Sequence, residues 1–261
     1  MIRTLQIANG FALVSTIFIN YLSNTGAVND TTIGEVSKGL QNLFTPASYA
    51  FAIWGFIYLL LLGFIFYQGR SLVSPNKTSD DVVLRIGWWF VASCIANSAW
   101  VFLWLYGYTG ISCIFILLLL FSLIQIIFRC RLMLDLEPLY KILFVAWPFV
   151  FYAGWVTVAS IANISAYLFK TNWDGFGLAA DTWAIIMIIV AVTINIWAIK
   201  SRNLREFAVV GAWALIAIGV RNRETYINVS TVAYIGAAIL LLLCMYHGIS
   251  QYRKGKMPVQ F

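Results

Sequence analysis

Residues 110–132 read GISCIFILLLLFSLIQIIFRCRL. No charged side chain occurs between Gly110 and Phe128. Wound as an α-helix at 1.5 Å per residue, such a run covers about 30 Å, the hydrocarbon thickness of a bilayer. A soluble surface helix of that length would carry a polar face, and this stretch has none. Working outward, apolar blocks of similar length recur at 4–22, 46–68, 84–106, 141–169, 182–200 and 226–248, with a shorter one at 206–220. The pattern predicts an all-α integral membrane helical bundle of about eight transmembrane helices. The 206–220 block is short enough to be read either as a tilted span or as a re-entrant segment.

Composition supports this reading. Of the 261 residues 62% are apolar and 10% charged, against roughly 25% charged in a soluble domain. There is too little polar surface to cover a water-soluble globule. The block beginning Met1-Ile2-Arg3 is long for a signal peptide and is not followed by a small-x-small cleavage site, so it is read as a retained helix. Cys94, Cys113, Cys130 and Cys244 form no C-x-x-C pair and lie in or beside apolar blocks, which makes them small buried hydrophobes rather than metal ligands or disulfides.

The net charge of +7 would suggest nucleic acid in a soluble protein, but here the basic residues sit in short loops, and no nucleic-acid partner is expected. With the N-terminus inside, the inside loops hold Arg3, Arg70, Lys77, Arg85, Arg129, Arg131, Lys141, Lys200, Arg202, Arg205, Arg253, Lys254 and Lys256. Lys38, Lys170, Arg221 and Arg223 fall outside. That is 13 of the 17 basic residues on one side. The asymmetry predicts a multi-pass protein of a cytoplasmic-type or inner membrane with both termini cytoplasmic. The outside connection from Ser23 to Thr45 is polar and rich in turn residues, long enough to fold over one mouth of the bundle.

No Asp, Glu, Lys or Arg lies in the middle of a predicted span. That argues against ion-coupled transport, a Schiff-base lysine or intramembrane metal hydrolysis. His247, the one histidine, sits at a helix end and is read as interfacial. No catalytic residue, metal ligand or required cofactor is predicted. The membrane interior instead carries indoles and amides. Phe51, Trp54 and Tyr58 share one helix face at i, i+3 and i+7; Asn97, Trp100 and Trp104 repeat that spacing; Trp155, Ala159 and Asn163 follow at i, i+4 and i+8. Trp88, Trp89, Trp104, Trp173, Trp183 and Trp197 fit an interfacial belt, and Gln125 and Asn195 fit helix-to-helix amide contacts. Phe51, Trp54, Tyr58, Asn97, Trp100, Trp155, Ala159 and Asn163 remain as candidate ligand-binding residues. Aromatic faces with a few oriented hydrogen bonds suit a flat apolar ligand.

These segments resemble the translocator protein (TspO/MBR) family, the tryptophan-rich sensory proteins. Thr45-Pro46 followed by Phe51, Trp54 and Tyr58 is similar to the family's proline loop and W-x-x-x-Y helix, though the family has Pro-Pro there. Asn97 to Trp100 is similar to its N-x-x-W, and Trp155 to Asn163 to its W-x-x-x-A-x-x-x-N. Pro148-Phe149 stand seven and six residues before Trp155, where the family places its Pro-aromatic pair four before. A sterol-recognition pattern is not met. The resemblance covers residues 1–170, a five-helix membrane domain, and leaves 171–261 as additional transmembrane helices. It implies a pocket lined by the residues above with the 23–45 connection as lid, a bound tetrapyrrole or lipid, and a possible homodimer in the bilayer. The expected role is a binding protein, sensor or translocator for porphyrins or similar flat ligands. The alternatives are a porphyrin-degrading enzyme or an accessory subunit of a membrane complex.

Overall fold

The computed structural model describes residues 1–40, 42–73, 79–135, 137–255 and 259–260. Lys77 and Lys256, both counted in the charge asymmetry, lie outside the described residues. The helices are α1 (Ile2–Leu22), the short α2 (Ile33–Gly39), α3 (Ile53–Val73), α4 (Asp80–Ile86), α5 (Trp89–Leu105), α6 (Thr109–Arg129), α7 (Leu139–Lys170), α8 (Ala180–Arg202), α9 (Arg205–Asn222) and α10 (Ile227–Arg253). A 3₁₀ turn over Ser48–Ala52 leads into α3.

Six of these helices are long and apolar enough to cross a membrane, and α4 with α5 makes a seventh as a span bent by 53°. The bend falls at Gly87, whose φ of 56° and ψ of −136° suit only glycine. α9 is the eighth long helix among the described residues; it carries Arg205 and Glu206 in its first turn and Arg221 in its last. The protein is an all-α, multi-pass integral membrane bundle in contact with lipid.

The first five long helices close a ring. α1 packs on α5, α5 on α6, α6 on α7, α7 on α3, and α3 back on α1. α7 is the most buried of the spans that pass on composition; its other flank receives α9, which α8 and α10 enclose. Small residues make that second interface. A Cβ on Gly154 of α7 would come within 2.8 Å of the Phe207 carbonyl oxygen on α9, and one on Gly219 of α9 within 2.6 Å of the Tyr234 ring on α10. Without a hydrophobic force between helices in lipid, close backbone approach of this kind is what holds them together.

Two local features aim the ring's side chains. Ahead of Pro148, which has no N–H to give to the preceding turn, Ile142–Ala146 widens into a π turn. α1 leans between its neighbours. Near its start Gln6 donates to the Gln68 carbonyl (2.7 Å) and Asn9 to Gln68 Oε1 (2.9 Å), tying it to α3. Near its end Asn20 donates to Asn97 Oδ1 (2.7 Å), tying it to α5. The ends of α1 and α3 therefore part toward the 23–45 connection, leaving a cleft.

Candidate ligand site

Trp54, the second residue of α3, sits at the centre of an aromatic cluster. Its ring stacks on Tyr58 at 5.6 Å, lies 6.4 Å from Trp100 of α5, and meets Tyr152 and Trp155 of α7 edge-on at 5.6 and 6.3 Å. Phe51 adds an edge contact to Trp155 at 5.9 Å, and Trp100 stacks on Trp104 at 6.1 Å. Edge and offset contacts of this kind stabilise the rings beyond the apolar area they bury. Three helices thus turn their indoles to one point.

A cavity of about 40 Å³ lies among these rings, walled by Phe51, Trp54, Trp100, Trp104, Trp155, Ala159 and Asn163 and roofed by Ile33, Leu40, Thr45 and Pro46. It has room for a few waters and no more. Beside it the cleft between α1 and α3 holds about 580 Å³, bounded by Asn20, Asn24, Thr32, Ser48 and Tyr58 among others. Ile33, Phe51 and Trp54 line both spaces and form the partition between them.

The polar groups divide into satisfied and unsatisfied sets. Trp100 Nε1 donates to Asn163 Oδ1 at 2.7 Å, and Asn163 Nδ2 donates in turn to Ser112 Oγ at 2.9 Å, so this amide fixes one wall to α6. Trp104 Nε1 donates to the Ile33 carbonyl at 3.3 Å, holding the roof helix α2. The indole N–H groups of Trp54 and Trp155 and the Tyr58 hydroxyl are buried with no hydrogen-bond partner among the described residues. A buried donor left unpaired costs about 1–3 kcal/mol, and clustered unpaired donors beside a cavity mark where an acceptor would be welcome.

The roof is itself well made. Thr32 and Glu35 form a reciprocal cap on α2, with Thr32 N–H donating to Glu35 Oε2 (2.8 Å) and Glu35 N–H to Thr32 Oγ1 (3.2 Å). The bond from the Thr32 side chain, joined by the Thr32 backbone N–H, holds the Glu35 carboxyl below the usual glutamate range. Asn29 reaches across to the Leu105 carbonyl at 2.8 Å.

Of the eight residues expected at the site, Phe51, Trp54, Trp100, Trp155, Ala159 and Asn163 meet at the small cavity, and Tyr58 lines the larger cleft. Asn97 stands behind the rings, completely buried. Its Oδ1 accepts from Asn20 and its Nδ2 donates to the Tyr152 hydroxyl at 3.0 Å, joining α1, α5 and α7. Trp104, read from its helix-end position as part of an interfacial belt, is 5% exposed and belongs to the aromatic cluster. Asn195 bonds within its own helix, to the Ala191 carbonyl at 2.8 Å, and presses on Gly211 of α9. Of the roof residues, Thr45 and Pro46 belong to the proline motif, whereas Ile33 and Leu40, at the ends of the short α2, leave no periodic signal in the sequence.

At the opposite end of the ring a cavity of about 130 Å³ is rimmed by three ion pairs, Asp81–Arg85, Arg131–Asp135 and Glu137–Lys141, at 2.9, 2.7 and 2.8 Å. Its charges are neutralised within these pairs, and the Arg131 guanidinium holds Asp135 below the usual aspartate range. Among the described residues no group of three or more His, Cys, Asp or Glu side chains could hold a metal ion.

A family model described as TSPO-like protein matches residues 6–246. The chain belongs to the TSPO-like family. Neither a curated protein nor a solved structure matches it. The TSPO-like match runs through α8, α9 and most of α10, beyond the 170 residues on which the sequence motifs lie. As a TSPO-like protein it is a membrane protein of the sensor or translocator kind.

Proposed function

We propose that this TSPO-like protein binds a flat, mainly apolar ligand bearing hydrogen-bond acceptors, such as a porphyrin or related tetrapyrrole, in the space formed by the aromatic cavity and the adjoining cleft. The observation that carries this reading is the convergence of the Trp54, Trp100 and Trp155 rings on one cavity, with the Trp54 and Trp155 indole N–H groups buried and without a hydrogen-bond partner among the described residues. The rings supply stacking surface, and the free donors supply orientation. A tetrapyrrole is far larger than the 40 Å³ cavity. Its uptake requires the Ile33–Phe51–Trp54 partition to move so that the cavity merges with the 580 Å³ cleft. The bound protein acts as a sensor or translocator, the kind of role that its TSPO-like family supports. The positive-inside asymmetry supports both termini in the cytoplasm of a cytoplasmic-type membrane, with the aromatic site toward the outer face.

The test is tryptophan fluorescence quenching by protoporphyrin in nanodiscs. Saturable quenching is expected from the parent protein and at least a tenfold weaker affinity from the Trp100→Phe, Trp155→Phe double variant. Unchanged saturable binding in the double variant would show that the ligand sits elsewhere.

A further inference from the structure

The segment that runs from the roof of the cavity into α3, residues Leu43 to Ala50, has no regular structure before its 3₁₀ turn, and much of it is buried: Phe44, Thr45 and Ala50 are 2%, 4% and 0% exposed. Buried backbone outside helices must find partners elsewhere. Phe44 and Thr45 N–H find theirs locally on Asn42, at 3.1 and 3.3 Å, and α9 provides three more. The Ala47 N–H donates to the Ala217 carbonyl at 3.0 Å, Asn222 Nδ2 donates to the Leu43 carbonyl at 3.0 Å, and Trp213 Nε1 donates to the Ala50 carbonyl at 3.3 Å. The Tyr49 ring meets the Trp213 indole edge-on at 5.3 Å. These contacts join positions more than 160 residues apart in the chain.

The held segment belongs to the site. Thr45 and Pro46 are part of its roof, and Phe51 and Trp54 follow directly as part of its partition. α9 has little freedom of its own, since it is wedged against α7 at Gly154 and against α10 at Gly219, where Ser230 Oγ also donates to the Gly219 carbonyl at 2.8 Å. It therefore ties the roof segment to α7, the same helix that carries Trp155 and Asn163.

We infer that Asn222, Trp213 and the Ala217 carbonyl of α9 are positioning groups for the ligand site: they clamp Leu43–Ala50 and so set how readily the roof lifts from the aromatic cavity. This deepens the proposed binding function and rests on it for its purpose, but the clamp itself is measurable without any ligand. The three contacts occupy both ends and the middle of the segment. Losing one frees a stretch of backbone on the roof side while the helices of the ring keep their mutual packing.

The experiment uses the full chain in nanodiscs, without ligand, as the parent, Asn222→Ala and Trp213→Phe. The second variant keeps an aromatic ring against Tyr49 and removes only the donor. Amide hydrogen exchange over residues 42–52 and trypsin cleavage after Lys38 report roof opening, with exchange in α6 and α10 as internal references. Expected are at least tenfold faster exchange over 42–52 and several-fold faster cleavage in Asn222→Ala, a smaller change in the same direction in Trp213→Phe, and reference helices within twofold of the parent. Exchange and cleavage within twofold of the parent in both variants would overturn the clamp. Acceleration spread equally over α10 would overturn it too, because the contacts would then be general packing. Protoporphyrin release, followed by recovery of tryptophan emission, is expected to quicken in step with roof exchange. Fast roof exchange in variants of a protein that takes up no protoporphyrin would uphold the clamp and remove the binding function.

Discussion

α6 and α9 are both single uninterrupted helices, of 21 and 18 residues, and they differ in almost every other respect. α6 is built of Ile, Leu and Phe, and turns Ile111, Ile114, Leu117, Leu118, Phe121 and Ile124 outward. Eight of its residues are buried. α9 is built largely of Ala, Gly and Val, and eleven of its residues are buried. The helix with the strongest membrane signature turns a broad apolar face outward, and the helix with the weakest is largely buried among α7, α8 and α10. In this pair the outward face takes large apolar side chains, whereas close helix-to-helix contact selects small ones.

Substitutions can break or sharpen that contrast. The largest effect is expected at Gly154, where α7 meets α9. Gly154→Val drives a side chain into the Phe207 backbone, which cannot rotate away, and should destabilise the protein by about 3 kcal/mol, read as a drop in the thermal midpoint in detergent. A midpoint unmoved by Gly154→Val would mean that α9 is not sealed against α7. Next comes Trp100→Phe, which leaves the ring face but removes the donor to Asn163. A loss of about 1–2 kcal/mol is expected, and the same variant should weaken protoporphyrin quenching. Third is Ile114→Ala on the outward face of α6, 57% exposed, which should change stability by less than about 0.5 kcal/mol. A drop as large as that for Gly154→Val would mean that this face is covered by another helix, as in a homodimer.

The smallest effect concerns pH. The Glu35 carboxyl is held below its ordinary range chiefly by its bonds to Thr32. A depressed carboxylate contributes stability that is fully present above the ordinary glutamate value and is lost as pH falls through the depressed one. Exchange of the α2 amides should thus be flat from pH 7 to about 5, once corrected for intrinsic rates, and quicken below about pH 4. In Glu35→Gln the acid limb should disappear.

The blocks of apolar sequence are enough to place the long helices; helical spacing marks Phe51, Trp54, Trp100, Trp155, Ala159 and Asn163 helix by helix, and it is the packing of the three helices that brings them to one cavity. What the spacing lacked was depth. Trp104 lies at a helix end, where an indole serves a bilayer interface as well as a buried site, and only the fold of Ile33 over it decides between them. Asn97 advertised an amide in the membrane but not its two partners, which come from α1 and α7. The 206–220 block looked doubtful because small residues and terminal charges lower its apolarity, and those small residues are what let it pack. The roof contacts of α9 join residues too distant in sequence for any local pattern to reveal.

The π turn at Ile142–Ala146 has a consequence at a distance. Accommodating one additional residue in a turn retards everything after it by about 100° of rotation. Tyr140, facing Tyr67 at 6.2 Å, lies before the slip, and Trp155 and Asn163 lie after it. Deleting a single residue between 142 and 146 would leave Tyr140 in place and swing the Trp155 indole roughly a quarter to a third of a revolution away from Trp54. The angular setting of the ligand wall is thus decided upstream, by a local irregularity whose own side chains never reach that wall.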